Sequence, residues 1–391
     1  MRIAFYAPLK SPTHSVPSGD RRVGRLLVEA LQRAGHQVTL ASTLRTLEPL
    51  GDAGRQALLR DQGAAEARDL IARWQGCKGA SVPDLWFTYH VYYKAPDWIG
   101  PLVSEALGIP YVIAEASYAP KRAGGAWAAG HEAVGRAIRA AALVLCPTKD
   151  DMGCVQAVAS SADKVVWLPP FLDTAPYEAA ALDREAHRTR LVAEHDLDPS
   201  VPWVAVVAMM RSGDKDASYR MLSKTLGRVA DLPWQVVIAG DGPARPGIEK
   251  AFAAIVPGRA RFLGERGPED LARIYAACDL CMWPAVNEAY GMAMLEAQAA
   301  GLPVISRRVR GVPDVVSHGE TGLLAPADDP QAFADLARSL LADPVRRGAM
   351  GMAAARKVRG ERGLDATAGL LGEAMAMLAR VRAGGPAGVR R

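Results

Sequence analysis

The sequence predicts an α/β protein built from two doubly wound parallel sheets flanked by helices, and three observations carry that reading. Short apolar runs rich in valine, isoleucine and leucine alternate with stretches of helical periodicity, the pattern of parallel strands joined by crossover helices. The alternation reaches a proline-rich stretch, PPFLDTAPY at 169–177, and then starts again. The chain has 391 residues, more than one ordinary hydrophobic core accommodates. We therefore expect a Rossmann-like domain over 1–172, a second over 173–363, and a tail over 364–391. The tail should be a helix that packs back on the first domain and ends in a disordered basic stretch. Two such domains facing each other would leave a ligand cleft outside the carboxyl ends of their strands.

Element by element, Ile3–Ala7 reads as the opening strand and is followed by a Pro/Ser/Gly loop to Asp20. A helix is expected over 21–34, where Val23, Leu26, Leu27, Ala30 and Leu31 recur at helical spacing and Gly35 ends the run. Strands follow at 36–41, 84–88, 111–115, 143–147 and 165–168. The second half offers strands at 203–209, 234–239, 261–263, 280–283 and 303–306, with helices at 219–229, 268–277 and 291–300. A last helical pattern covers 364–382.

Composition narrows the function classes. Half of the residues are hydrophobic and 23% are charged, as in globular proteins that are soluble. No apolar run has the length of a membrane span, and the start MRIAFYAPLKSP lacks the shape of a signal peptide, so a cytoplasmic location is expected. The net charge is +5, with most of the excess in residues 1–172. That mild bias suits an anionic ligand or peripheral contact with anionic lipid, through Arg21, Arg22, Arg25, Lys121 and Arg122. It is too weak for a nucleic-acid binder, and no aromatic residues interleave with the basic ones. Of the five cysteines, Cys278 and Cys281 have metal-like spacing but no second pair or histidine cluster nearby, so core packing is expected and no metal site.

Three loops at carboxyl ends of second-domain strands carry the chemistry. In MMRSGDKDAS (209–218), Arg211 and Lys215 place two cations just past a strand, able to neutralise a diphosphate. In AGDGPARPG (239–247), Gly240 and Gly242 allow a tight turn beside a ligand, but Arg245 stands where a dinucleotide fingerprint needs its third glycine. The reading as a plain turn stays open. In NEAYGMAMLEAQAAGLPV (287–304), Asn287, Glu288 and Ala289 precede a helix expected to begin at Tyr290–Gly291. Its free N–H groups and dipole form an anion site, with Glu288 and Glu296 reaching hydroxyls on either side. A nucleoside diphosphate sugar has that outline.

Taken together, these residues resemble glycosyltransferase family 4, retaining enzymes of the two-Rossmann-domain GT-B type. The resemblance runs through VPSGDRRVGRLLVEALQRAGHQVTLAS (16–42), KVVWLPPFLD (164–173), MMRSGDK, VVIAGDGP, RFLGE and the 287–304 stretch, to GVPDVVSHGETGLLAPADDPQAFADLARSLL (311–341). It implies a metal-independent hexosyltransferase that needs no cofactor besides its nucleotide-diphosphate sugar and passes the sugar to a glycan, lipid-linked or small-molecule acceptor. By the same resemblance Glu288, with the backbone of Ala289, Tyr290 and Gly291, holds the donor sugar. Met292 meets the diphosphate, Glu296 the ribose, and Arg211 and Lys215 stabilise the leaving group. The resemblance also implies that Gly19, in the loop after the first strand, lies near the phosphates and the acceptor.

The acceptor half departs from the family. Many members carry Gly-Gly where this chain has Gly19–Asp20, and a histidine where it has AEASYAPKR after the strand at 111–115. His90, Glu115, Ser117 and Tyr118 are the candidates to fill that role. Two other classes fit parts of the pattern: a non-catalytic sugar-nucleotide sensor, and a nucleotide-sugar epimerase of the same architecture. The first would bind donor without transfer, and the second would convert donor with no acceptor present.

Overall fold

The computed structural model describes residues 1–16, 18–76 and 82–384, the side chains of 381–384 excepted. Cys77 and the basic end after residue 384 lie outside the described residues. The chain divides into two compact units, Met1–Pro169 with Leu364–Arg391, and Pro170–Gly363. The second unit begins slightly before the expected 173, because Leu172 is already tied into it. Its N–H donates to the Arg362 carbonyl at 3.0 Å, beside a parallel bridge to Gly363.

In the first unit the order is β1 (Arg2–Tyr6), α1 (Gly19–Arg33), β2 (Gln37–Leu40), α2 (Ala53–Gln75), β3 (Leu85–Val91), α3 (Gly100–Leu107), β4 (Tyr111–Ala116), α4 (Ala128–Ala140), β5 (Leu143–Cys146), α5 (Lys149–Gln156) and β6 (Val165–Trp167). The strands form one parallel sheet in the order β2-β1-β3-β4-β5-β6, so the strand order reverses between β1 and β3. The helix α1 forms where the spacing predicts it. Leu26, Leu27, Ala30 and Leu31 are buried on one stripe, and the Ser18 hydroxyl caps the start by accepting from the Arg21 N–H.

The second unit contains α6 (Ala175–Leu182), α7 (Arg184–His195), β7 (Trp203–Val207), α8 (Asp214–Gly227), β8 (Gln235–Ala239), α9 (Arg245–Ile255), β9 (Ala260–Gly264), α10 (Pro268–Ala277), β10 (Leu280–Met282), α11 (Met292–Ala299), β11 (Val304–Arg307), α12 (Val312–Val315), β12 (Gly322–Ala325), α13 (Pro330–Ala342) and α14 (Pro344–Arg362). Its parallel sheet runs β12-β11-β10-β7-β8-β9 and reverses between β7 and β10. Its strands are buried on both faces, which is why WVAVV and QVVIA read as continuous apolar runs rather than alternating ones. Trp203, Trp234 and Tyr219 are fully enclosed in its core. The last helix, α15 (Leu364–Gly384), belongs to the first unit, where Asp365 pairs with Arg33 of α1 at 2.8 Å.

Two elements differ from the expected pattern in ways that matter below. The strand expected to end at Thr88 continues to Val91, because β4 keeps pairing with it as far as Val91–Ala116, and so His90 lies inside a strand. The helix expected from Gly291 starts at Met292 instead. Gly291 is its N-cap, at φ 77 and ψ 69, a left-handed conformation that glycine adopts without strain.

Candidate functional site

In the second unit the strand order reverses between β7 and β10, and the loops after those two strands supply the site. The first turn of α8 grips the loop 284–291 at three places. Asp214 accepts from the Asn287 amide at 2.9 Å, the Ser218 hydroxyl accepts from the Val286 N–H at 3.0 Å, and the Lys215 ammonium donates to Glu288 at 2.5 Å. The indole N–H of Trp283 reaches the same Glu288 oxygen at 3.3 Å, and the Lys215 ammonium lies 5.4 Å from the centre of the Trp283 ring. Both partners of the ion pair are largely screened, with side-chain exposures of 24% for Lys215 and 19% for Glu288. Holding the loop this tightly sets Ala285 at φ 58 and Asn287 at φ 52, left-handed values that residues with a Cβ adopt only under constraint.

Apart from Gly240, the remaining donor-side candidates of the second unit lie on the same two loops and on α11. Arg211 is exposed on the loop between β7 and α8, and its guanidinium makes no hydrogen bond or ion pair among the described residues. Ala289 is anchored by the Gly311 N–H, which donates to its carbonyl at 3.0 Å. Tyr290 and Met292 are half-buried against the core. Glu296 sits in the second turn of α11 and is buried, with the Tyr275 hydroxyl 3.5 Å from its carboxylate. That hydroxyl also donates to the Ala293 carbonyl at 3.0 Å.

Gly240 has a reason in the fold itself. A Cβ there would stand 2.0 Å from the Ala208 carbonyl oxygen, and one at Gly242 would stand 2.4 Å from that of Met210. The loops after β7 and β8 therefore lie backbone to backbone. They border a cleft of about 490 Å³ lined by Met209, Gly240, Asp241, Gly242, Glu265 and Arg266, among others. Gly19, in contrast, opens α1 with nothing within 4 Å of where a Cβ would be, so packing inside the first unit does not require glycine there.

Of the acceptor-side candidates, His90 and Glu115 come together and Asp20 joins them. The His90 Nδ1 is 2.9 Å from Asp20 and 3.7 Å from Glu115. Burial works against the His90 charge, but Glu115 and Asp20 outweigh it and hold the imidazole pKa above its usual value. Burial likewise pushes Asp20 up, yet its bond to His90 leaves it net below the usual carboxylate range, while burial raises Glu115. Ser117 and Tyr118 serve other contacts. The Ser117 N–H donates to Val91 at 2.9 Å, and the Tyr118 ring packs 4.3 Å from the buried His131.

Trp283, Tyr275 and Asp20 escaped sequence reading as site residues. Trp283 and Asp20 stood inside or beside quoted motifs, so their position was a usable signal, whereas Tyr275 carried none. Two of the three α1 arginines considered for lipid contact donate to carbonyls of the preceding loop. Arg21 donates to the carbonyls of His14 and Ser15 at 2.8 and 3.0 Å, and Arg25 to that of Pro12 at 2.8 Å. Cys278 and Cys281 are buried in the second core, and burial, then the charge of Glu296, pushes the Cys281 thiol up to about 12. Among the described residues no group of three or more His, Cys, Asp or Glu side chains is arranged to hold a metal ion. No helix among them is long and apolar enough to cross a membrane.

The family described as Glycosyl transferases group 1 matches residues 202–343, the segment that holds the Lys215–Glu288 pair. A D-inositol 3-phosphate glycosyltransferase of Corynebacterium urealyticum is 41% identical over 130 residues, 32% of this chain and 30% of that protein. The match thus spans less than a third of that relative's length. One of the same description from Nocardia farcinica is 28% identical over 95% of this chain and 88% of its own. Among solved structures, Anabaena HepE in complex with UDP superimposes with a TM-score of 0.71 at 16% identity, covering 96% of this chain and all of that one.

Proposed function

We propose that the chain is a glycosyltransferase of the GT-B type, similar over residues 202–343 to the family described as Glycosyl transferases group 1, and that it transfers a sugar, with retention, from a nucleoside diphosphate sugar to a hydroxyl acceptor. The observation that carries the reading is the Lys215–Glu288 pair at the N-terminal end of α11, where the strand order of the second unit reverses. The pair and its neighbours on these loops offer groups of complementary kind. The free N–H groups of α11 and the cations Arg211 and Lys215 suit a diphosphate, and Glu288 suits sugar hydroxyls. Glu296, backed by Tyr275, suits the ribose. The cleft between the loops after β7 and β8 has room for a nucleobase. UDP in the crystal structure of HepE supports a nucleotide donor.

The chemistry follows from charge. The bond between the anomeric carbon and the diphosphate oxygen breaks, and its electron pair departs with the diphosphate. Lys215 and Arg211 stabilise that charge as it develops, and preorganised donors act most strongly on such developing charge. The acceptor oxygen bonds to the same face of the anomeric carbon, and its proton passes to the departing phosphate oxygen. No nucleophile from the protein is needed, so Glu288 binds sugar hydroxyls and balances Lys215. The reaction as read here uses no metal ion.

Thermal-shift measurements against UDP-, GDP-, ADP- and TDP-sugars test the donor. A ligand at a hundred times its dissociation constant stabilises by about 2.7 kcal/mol, so the cognate donor should separate clearly from the others. The same preparation should transfer sugar to an acceptor pool and hydrolyse donor slowly without one. Donor binding with neither transfer nor hydrolysis would leave a sensor, and conversion of donor to an epimer without acceptor would leave an epimerase.

A further inference from the structure

The first unit carries a cluster that the donor chemistry leaves unused, and it lies where that unit's own strand order reverses, between β1 and β3. Asp20 comes from the start of α1, His90 from β3 and Glu115 from β4. The register pairs Tyr89 with Ala114 and Val91 with Ala116, so His90 and Glu115 stand opposite each other. Both are left-handed, at φ 61 and φ 64, within neighbouring strands. Two facing residues out of the strand conformation mark a place where the fold is held against its local preference, and such strain gathers at ligand sites.

The imidazole is mostly enclosed, with 18% of its side chain exposed. Its Nδ1 faces the two carboxylates, and its Nε2 has no hydrogen-bond partner among the described residues. Tyr92 packs 5.4 Å from the His90 ring, and Tyr93 lies 5.5 Å from Tyr92, so a row of rings continues away from the cluster. The charges that reach it are mostly negative: Asp20, Glu115 and Asp151 of α5. Lys10 acts on Asp20, and Arg45 acts on Tyr92 while donating to the Leu9 carbonyl.

We infer that this cluster binds the acceptor, and that the acceptor is a neutral polyhydroxyl ring, a sugar or cyclitol, rather than a phosphorylated one. The inference rests on the glycosyl-transfer reading above. Carboxylate oxygens accept hydrogen bonds from hydroxyls, the open Nε2 of His90 can accept from one or donate to one, and aromatic rings pack against the C–H face of a sugar. A phosphomonoester carries about −1.5 to −2 charges, which three carboxylates would repel. The relatives described as D-inositol 3-phosphate glycosyltransferases are named for a phosphorylated substrate, so this chain departs from them here.

The test gives the full-length protein, with the donor chosen by the thermal-shift screen, two matched acceptor pairs: myo-inositol against inositol 3-phosphate, and glucose against glucose 6-phosphate. The neutral member of at least one pair should show a kcat/KM about tenfold or more above its phosphate ester. Asp20→Asn should raise the KM for the neutral acceptor, leave the donor KM unchanged and narrow the discrimination against phosphate. His90→Gln should remove the inflection that the imidazole puts into the pH profile of acceptor kcat/KM, while the donor thermal shift persists. Preference for a phosphate ester overturns the inference. So does transfer to no neutral acceptor by a protein that binds donor, or an unchanged acceptor KM in both variants. Failure to bind any nucleotide sugar overturns the donor reading and this inference with it.

Discussion

Replacing Gly240 with alanine separates a glycine required by packing from one required by a ligand. The added Cβ would lie 2.0 Å from the Ala208 oxygen and 2.9 Å from its carbonyl carbon, with the backbone at φ +150. Neither obstacle is a flexible side chain, so the loop after β7 must move away. That loop is tied down. The Ala208 oxygen accepts from the buried Tyr219 hydroxyl at 2.7 Å, and the Met210 N–H donates to Asp241 at 2.8 Å. Stranding a buried hydroxyl costs about 1–3 kcal/mol, and holding alanine in the disfavoured conformation costs about 1–3 kcal/mol more. A loss of about 2–6 kcal/mol is expected. With a urea dependence of about 2–3 kcal/mol per molar, the midpoint should fall by about 0.7–3 M. Urea denaturation followed by fluorescence measures this, and hydrogen exchange in β7 and β8 assigns it to the second unit. A midpoint unchanged within about 0.3 M would refute the packing argument and return Gly240 to the ligand.

Three further outcomes are expected. Gly19→Ala should leave stability within about 0.5 kcal/mol, since its Cβ meets nothing, but should lower kcat/KM if donor phosphates approach that backbone; unchanged kinetics would remove Gly19 from the site. Lys215→Met should lower kcat about 10²–10³-fold, and Arg211→Ala should lower turnover without changing the urea midpoint, because that guanidinium makes no hydrogen bond or ion pair among the described residues; near-normal turnover in either variant would sink the leaving-group assignment. Asp97 accepts from Thr88 at 2.6 Å, Tyr111 at 2.9 Å and the Ile99 and Gly100 N–H groups at 2.8 and 2.7 Å. Burial nonetheless holds its pKa above the ordinary carboxylate value of 3.8. A raised folded pKa contributes stability that is complete below 3.8 and is lost as pH rises through the folded value. Asp97→Asn should remove that decline, and urea midpoints from pH 4 upward that keep the wild-type slope would contradict the assignment.

Much of the architecture was legible because the central strands of both sheets are buried on two faces, which leaves apolar runs such as WVAVV too continuous to mistake. Among the elements missed, α2 and β12 are ones whose burial leaves little trace. The helix α2 buries Leu59, Gly63, Ala67 and Leu70, and half of that stripe is glycine or alanine, so its periodicity is faint. The strand β12 is only GLLA.

By itself the sequence determined that two α/β units follow one another, and which loops stand at the carboxyl ends of their strands. Periodicity is a local property, and motif spacing places Glu288 and Glu296 on one short stretch without any help from distant residues. Which side chains meet was decided only by tertiary structure. Lys215 reaches Glu288 across 73 positions, and His90 reaches Asp20 across 70, because each sheet reverses its strand order and so brings distant loops side by side. The same holds for the glycines. Gly240 and Gly19 look alike in sequence, and only the backbone lying 2.0 Å from one and nothing within 4 Å of the other tells packing from an open approach.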